Sequence, residues 1–130
     1  MLRILVRWGL SIFFMLAGAN HFYHKEWYLR IMPDYLPWHL PLVYLSGAGE
    51  MALGAGMLLP RTRSRSGWGM AALLLAIFPA NVQMALHPER FPQFKPLVLW
   101  LRLPLQFLLI ALALWATRPA QASPAPDGGR

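Results

Sequence analysis

Four apolar stretches, each close to the length that crosses a lipid bilayer, constrain the fold more than any other feature of this sequence. A bilayer core accommodates about 20 residues of α-helix, and backbone polar groups inside it must be hydrogen-bonded within the protein. The stretches cover approximately residues 4–22, 41–59, 67–86 and 96–116. The sequence therefore predicts an all-α integral membrane four-helix bundle over 1–117. The remaining residues, 118–130, are rich in Pro, Ala and Gly, and we expect them to form a disordered tail.

The charge distribution is typical of a membrane protein. The chain has a formal net charge of +7 and a mean hydropathy of +0.41. Its unbalanced basic residues lie at the N-terminus, in the second loop and at the start of the tail. They are Arg3, Arg7, Arg61, Arg63, Arg65 and Arg118. Because cytoplasmic segments carry the excess of Lys and Arg, an even number of crossings places both termini in the cytoplasm. We expect a multi-pass protein of the cell inner (plasma) membrane, surrounded by the lipid bilayer and without a nucleic-acid partner.

Glu50 lies in the middle of the second apolar stretch, among small residues. A carboxylate at that depth costs about 2.5–3.5 kcal/mol on insertion scales, so it needs a partner or a proton. Ser46, Glu50 and Gly54 share one helical face, and small residues let membrane helices pack closely. The pattern predicts an inward-facing helix that carries a buried ionisable group.

Polar side chains of the other helices are expected at a similar depth. With a rise of about 1.5 Å per residue, Glu50 lies about 14 Å below the outer boundary, Arg102 about 9 Å and Gln106 about 15 Å. The outer half of the bilayer thus gathers polar groups, and the inner half is expected to have almost none. The predicted cluster contains His21, Glu50, Asn81, Arg102 and Gln106, with Asn20 and Ser46 as secondary members. It is either a site for a ligand or a proton, or a structural Glu50–Arg102 ion pair with interhelical hydrogen bonds.

The loop between the first two apolar stretches is rich in aromatic residues and proline. Trp and Tyr prefer the headgroup level, so this loop is expected to lie in the outer interface. Lys25–Met32 favours a short interfacial helix that ends at Pro33. The loop is either an aromatic belt or a lid over the polar cluster. The candidate lid residues are Trp27, Tyr28, Tyr35 and Trp38.

Cofactor chemistry is poorly supported by the residue types. The chain has no cysteine, which excludes thiol–disulfide chemistry, thiolate-bound clusters and covalent haem. His21 and His24, with His87 or Glu89, form a conceivable metal site, but interfacial histidines are common beside aromatic residues. We expect no metal and no covalent cofactor, and no arrangement of serine, histidine and acid suggests catalytic residues.

Three segments resemble the DoxX/DoxX-like family of small four-helix membrane proteins. They are AGANHFYHKEWYLRIMPDYLPWHLPLVYLSGAGEMALGAGMLLP, FPANVQMAL and LWLRLPLQFLLIALALW, and the resemblance extends from Leu16 to Trp115. It implies four helices and a link to quinone-dependent electron transfer. It also implies that the family's recurring positions are His21, Pro33, Glu50, Asn81, Arg102 and Gln106.

The expected function combines the polar cluster with this resemblance. We expect an accessory subunit of a quinone-linked oxidoreductase system, with an outward-facing polar pocket for a quinone or a similar small amphiphile. The alternative is a non-enzymatic assembly or scaffold subunit, which binds a membrane or periplasmic partner protein and whose polar cluster is structural. Small-solute transport is less favoured, because the sequence lacks the paired broken helices of alternating access. Whether the protein is an enzyme stays open, since no residue supplies a redox centre.

Overall fold

The computed structural model describes residues 1–121, which form an all-α fold, as predicted. Five α-helices and one short 3-10 turn, Pro88–Arg90, make up this part of the chain. The helices are α1 (Leu2–Tyr23), α2 (Lys25–Ile31), α3 (His39–Gly56), α4 (Arg63–Leu86) and α5 (Pro96–Thr117). Of the tail predicted over 118–130, positions 122–130 lie outside the described residues.

Three of the helices in residues 1–121 are long and apolar enough to cross a membrane, namely α1, α4 and α5. The helix α3 does not meet the same criterion of length and hydropathy. The predicted apolar stretch 41–59 extends past the end of this helix at Gly56, and α3 instead begins at His39 and includes Glu50. The polar residues at the start and centre of α3 lower the mean hydropathy of this helix. The apolar residues 57–59 lie outside the helix and therefore do not raise it.

The helices α1 and α3 pack against each other in opposite directions. Gly18, late in α1, lies beside Gly47, whereas Ser11, earlier in α1, lies beside Gly54 near the end of α3. A Cβ atom at Gly18 would be 2.6 Å from the carbonyl oxygen of Gly47, so the two backbones are in direct contact. Glycine is required at this crossing, and the close approach brings His21 against α3.

The remaining long helices complete a cycle in which α3 contacts α4, α4 contacts α5, and α5 contacts α1. At one end of this assembly, Arg7 Nη1 donates a hydrogen bond of 3.2 Å to the carbonyl of Ala116, and Gly67 contacts Thr117. The starts of α1 and α4 and the end of α5 therefore meet at one end. We call this the basic end, because Arg3, Arg7, Arg61, Arg63, Arg65 and Arg118 lie on the segments that meet there.

The opposite end is covered by α2 and by the turn that precedes α5, and we call it the capped end. Trp27 of α2 packs edge-on against Phe91 and Phe94, with ring centroids 5.3 and 5.5 Å apart. Ile31 is buried in the same apolar cluster as Phe91. The helix α2 ends one residue earlier than predicted. Met32 is extended before Pro33, as expected for a residue that precedes proline.

Both prolines inside the long helices leave the helix continuous. Pro79 lies within α4 and Pro104 within α5, and each helix extends for at least a turn on both sides. Proline has no N–H to donate to the carbonyl four residues earlier, so each removes one backbone hydrogen bond. These positions are close in sequence to Asn81 and Arg102, which belong to the predicted polar cluster.

Candidate functional site

A cavity of about 700 Å³ lies between the long helices and beneath α2. Cavities that bind small molecules typically measure about 300–1,000 Å³ and are mainly apolar with a few polar groups. This cavity fits that description, because most of its wall consists of aliphatic and aromatic side chains. Its polar wall residues are His21, Tyr28, Ser46, Glu50, Asn81, Arg102 and Gln106. All five predicted members of the polar cluster therefore face one space.

The acid of this cavity is paired with histidine. His21 Nε2 lies 3.1 Å from Glu50 Oε2, and the two side chains are only 8% and 7% exposed. Glu50 Oε2 nevertheless accepts no hydrogen bond from residues 1–121, although it lies beside the ring. The predicted alternative, a Glu50–Arg102 ion pair, is not formed.

The other nitrogen of the His21 ring is held by α3. Nδ1 lies 3.1 Å from the carbonyl oxygen of Val43 and 3.1 Å from Ser46 Oγ, which itself donates to Val43. A carbonyl only accepts hydrogen bonds, so the contact is favourable when Nδ1 carries a proton. This leaves Nε2 as the ring nitrogen that faces Glu50.

Tyr28 covers the histidine from the side of α2. Its ring stacks on His21 with centroids 3.9 Å apart, and its hydroxyl accepts a hydrogen bond of 3.0 Å from Asn20 Nδ2. Burial raises the pKa of Tyr28 above its ordinary value, so the phenol stays neutral. Asn20 is thus a support for Tyr28.

The opposite wall is a chain of amides that ends at Arg102. Asn81 Nδ2 donates to Gln106 Oε1 at 2.6 Å, and Gln106 Nε2 donates to the carbonyl of Leu74. Arg102 Nη2 reaches Asn81 Oδ1 at 3.4 Å, a long contact. Gln106 is thus satisfied, whereas half-buried Arg102 belongs to none of the ion pairs formed within residues 1–121.

The aromatic lid is formed by one of its four predicted residues. Tyr28 lines the cavity, whereas Trp27 packs away from it on Phe91 and Phe94. Tyr35 and Trp38 are 74% and 76% exposed and do not line the cavity. The helical spacing of α2 turns Tyr28 inward, while the two later aromatics follow Pro33 in an irregular loop.

The expectation that the inner half of the helix assembly has almost no polar groups is wrong. Arg7, Ser11, Ser66 and Thr117 are all buried near the basic end. Arg7 was interpreted as a charge at the membrane boundary. A signal was present, because Arg7 and Ser11 lie four residues apart on the face that also buries Phe14.

The described part of the chain contains no group of three or more His, Asp or Glu side chains placed to hold a metal ion. His87 contacts Glu89 at 3.2 Å on the surface, while His21 is engaged with Glu50. The residues of the metal site considered from the sequence, His21, His24, His87 and Glu89, therefore do not form a metal-binding group.

Comparison with protein families tests the family resemblance that the sequence motifs suggest. Residues 10–117 match a family described as "Domain of unknown function (DUF8561)". The chain belongs to the DUF8561 family. The resemblance to DoxX is therefore wrong: short runs of glycine, proline and aromatic residues at helix ends are common to small membrane proteins and do not specify this relationship. Neither the curated proteins nor the solved structures contain a match to the chain.

The region shared with DUF8561 contains the whole cavity. Every lining residue, from Phe13 in α1 to Leu109 in α5, falls within residues 10–117. Arg7 precedes this region. The cavity therefore lies within the region that matches the family.

Proposed function

We propose that this DUF8561 protein is a multi-pass inner-membrane protein whose cavity binds a small amphipathic molecule. The observation that carries the proposal is the composition of the cavity wall. An apolar space of about 700 Å³ has Glu50 on one side, with an oxygen that accepts no hydrogen bond from residues 1–121, and on another side Arg102, which forms no ion pair within the same residues. Polar groups left unsatisfied in an apolar space favour a ligand that completes them.

The membrane orientation follows from the two ends of the assembly. We place all four long helices across the bilayer, including α3, whose 18 residues extend about 27 Å. The basic end faces the cytoplasm, because excess Lys and Arg is retained there. Both termini are then cytoplasmic, and the cavity opens towards the outer leaflet beneath α2.

The cavity supports binding of a molecule with a polar head and an apolar body. Arg102, Asn81 and the His21–Glu50 pair provide donors and acceptors at the walls, and Tyr28 covers them from the capped end. A quinone is one candidate, since its carbonyls accept hydrogen bonds. The role of an oxidoreductase subunit depended on the resemblance to DoxX and is not proposed further.

A test is native mass spectrometry of the protein released from its own membrane in mild detergent. We expect a bound small molecule on the wild-type protein. Ala17→Phe places a ring into the cavity and should remove the bound mass, because Ala17 lines the wall. Ala48→Phe is the matched control, since Ala48 lies exposed on α3, close in sequence to Glu50, and does not line the cavity.

The contrary results are equally specific. A wild-type protein that carries no small molecule, or a bound mass that persists in Ala17→Phe, contradicts the proposal. An empty protein that remains attached to a second polypeptide supports the alternative, in which the chain is a scaffold subunit. Its Asn81–Gln106 bond and His21–Glu50 pair then serve only to hold the helices together.

A further inference from the structure

We infer that the ligand of this cavity carries an anionic headgroup, which binds Arg102. The inference rests on the proposed function, because it names the chemical class of the molecule that the cavity takes. It depends on the net charge of the cavity wall. The titratable side chains on that wall are His21, Tyr28, Glu50 and Arg102.

The His21–Glu50 pair contributes no net charge. Glu50 is more than nine-tenths buried, and its Oε2 receives no hydrogen bond from the described residues. An ionised carboxylate in such a place is costly unless a positive charge compensates it. Within residues 1–121 Glu50 forms no ion pair with Arg102, and its partner is His21, 3.1 Å away. One proton held between the carboxylate and the imidazole then leaves the pair without net charge.

Arg102 leaves the wall with one positive charge. Tyr28 is a neutral phenol, and arginine remains protonated in proteins, so no other group on the wall offsets the guanidinium. Its contact within the cavity wall is the 3.4 Å approach to the neutral amide of Asn81. A neutral headgroup, including that of a quinone, would leave this charge uncompensated in an apolar space, whereas a carboxylate or phosphate would pair with it.

The same arrangement disfavours a cationic headgroup. A positive ligand beside Arg102 would meet like charge at low dielectric, and the only acid on the wall is already occupied by His21. The apolar part of the ligand then lies along aliphatic wall residues such as Leu74, Ile77 and Leu109. The class is an amphiphile with one anionic group.

The experiment compares probes that share one tail and differ in the head. Binding of radiolabelled dodecanoate is measured with the protein in nanodiscs of phosphatidylcholine, and empty nanodiscs correct for partition into lipid. Unlabelled dodecyl phosphate, dodecanol and dodecyltrimethylammonium then compete. We expect the two anions to bind roughly tenfold or more tightly than the alcohol, the gain typical of a charge-assisted hydrogen bond, and the ammonium not to compete. Dodecanoate and dodecyl phosphate distinguish a carboxylate from a phosphate ligand.

Substitutions locate the anion. Arg102→Gln should weaken dodecanoate binding roughly tenfold and leave dodecanol binding unchanged, and Arg102→Lys should retain most of the preference for the anion. Arg61→Gln removes the same charge from an exposed position outside the cavity and should have no effect.

The outcomes separate the two proposals. Dodecanol or the ammonium binding as tightly as dodecanoate overturns the anionic headgroup while leaving the cavity as a binding site. Retained dodecanoate affinity in Arg102→Gln also overturns it. The proposed function itself is overturned if Ala17→Phe leaves the binding of every probe unchanged. It is also overturned if no probe binds above the level of empty nanodiscs. The headgroup series in the wild-type protein decides the question even if Arg102→Gln does not fold.

Discussion

The His21–Glu50 contact makes a quantitative prediction about stability. Both side chains are more than nine-tenths buried, and Glu50 Oε2 accepts no hydrogen bond from residues 1–121. If one of the two side chains is removed, the other therefore has no substitute partner among these residues. Removing one member of a buried ion pair costs about 3–5 kcal/mol, whereas replacing both by apolar residues is often neutral. The cavity gives Glu50 a route to a proton, so we expect His21→Leu to cost about 3 kcal/mol, the lower end of that range.

The prediction is tested by a double-mutant cycle. Glu50→Leu leaves the Nε2 atom of a neutral ring without a partner, which costs about 1–3 kcal/mol. The single costs sum to about 4–6 kcal/mol, and the double variant His21→Leu/Glu50→Leu should be less destabilised than this sum by at least about 2 kcal/mol. The free energy of unfolding is measured from helicity during reversible unfolding in mixed micelles of dodecyl sulfate.

A matched cycle controls for general electrostatic effects. Arg90 and Asp34 form a pair 3.8 Å apart on the surface, with side chains 46% and 78% exposed. Such pairs contribute about 0–1 kcal/mol, so Arg90→Ala and Asp34→Ala should be nearly additive. If the His21/Glu50 cycle is additive to within about 0.5 kcal/mol, the two groups do not interact and the reasoning about a neutral pair is refuted.

Three further predictions follow from other contacts. Gly18→Ala places a methyl group 2.6 Å from a backbone oxygen of α3 and should destabilise the protein by about 1–3 kcal/mol in thermal unfolding, whereas Gly9→Ala, with open space around it, should not destabilise it. Gln106→Leu leaves Asn81 without its buried acceptor and should cost about 1–3 kcal/mol in the same assay; an unchanged unfolding temperature would contradict the role of the amide chain. A hydrogen bond from the backbone amide of Glu89 lowers the pKa of its carboxyl group below 4.5. The small contribution of Glu89 to stability is therefore complete above pH 4.5 and is lost as the pH falls through the lowered pKa. Glu89→Gln should abolish this pH dependence.

The sequence predicted the depth of the polar residues better than their partners. A rise of about 1.5 Å per residue orders groups along a helix axis, and His21, Glu50, Asn81, Arg102 and Gln106 do line one cavity. Depth says nothing about which helices are neighbours. The helix α3 packs on α1 and α4, while α5 also packs on α1 and α4, so Glu50 and Arg102 come from helices on opposite sides of the cavity. The glycine contact between α1 and α3 selects His21 instead.

Other differences have similar causes. The helix α3 ends at Gly56 rather than at the end of the apolar stretch, because the chain turns over residues 57–62 before α4. Tyr28 could be assigned to the cavity only once the position of α2 was known. The helical periodicity of the sequence alone does not say which face of a short helix packs against the rest of the protein. Burial of Arg7 was missed because a basic residue near the chain start reads equally well as a membrane-boundary charge.

Arg7 and half-buried Arg102 differ in what they contact inside the helix assembly. Arg7 donates to the carbonyl of Ala116, and in this way it joins α1 to α5 at the basic end. Arg102 holds no backbone carbonyl and joins no helices by an ion pair within residues 1–121, yet it lines a cavity large enough for a ligand. The acid of this cavity is in contact with His21 and not with Arg102, and this is the reason to seek an anion beside Arg102.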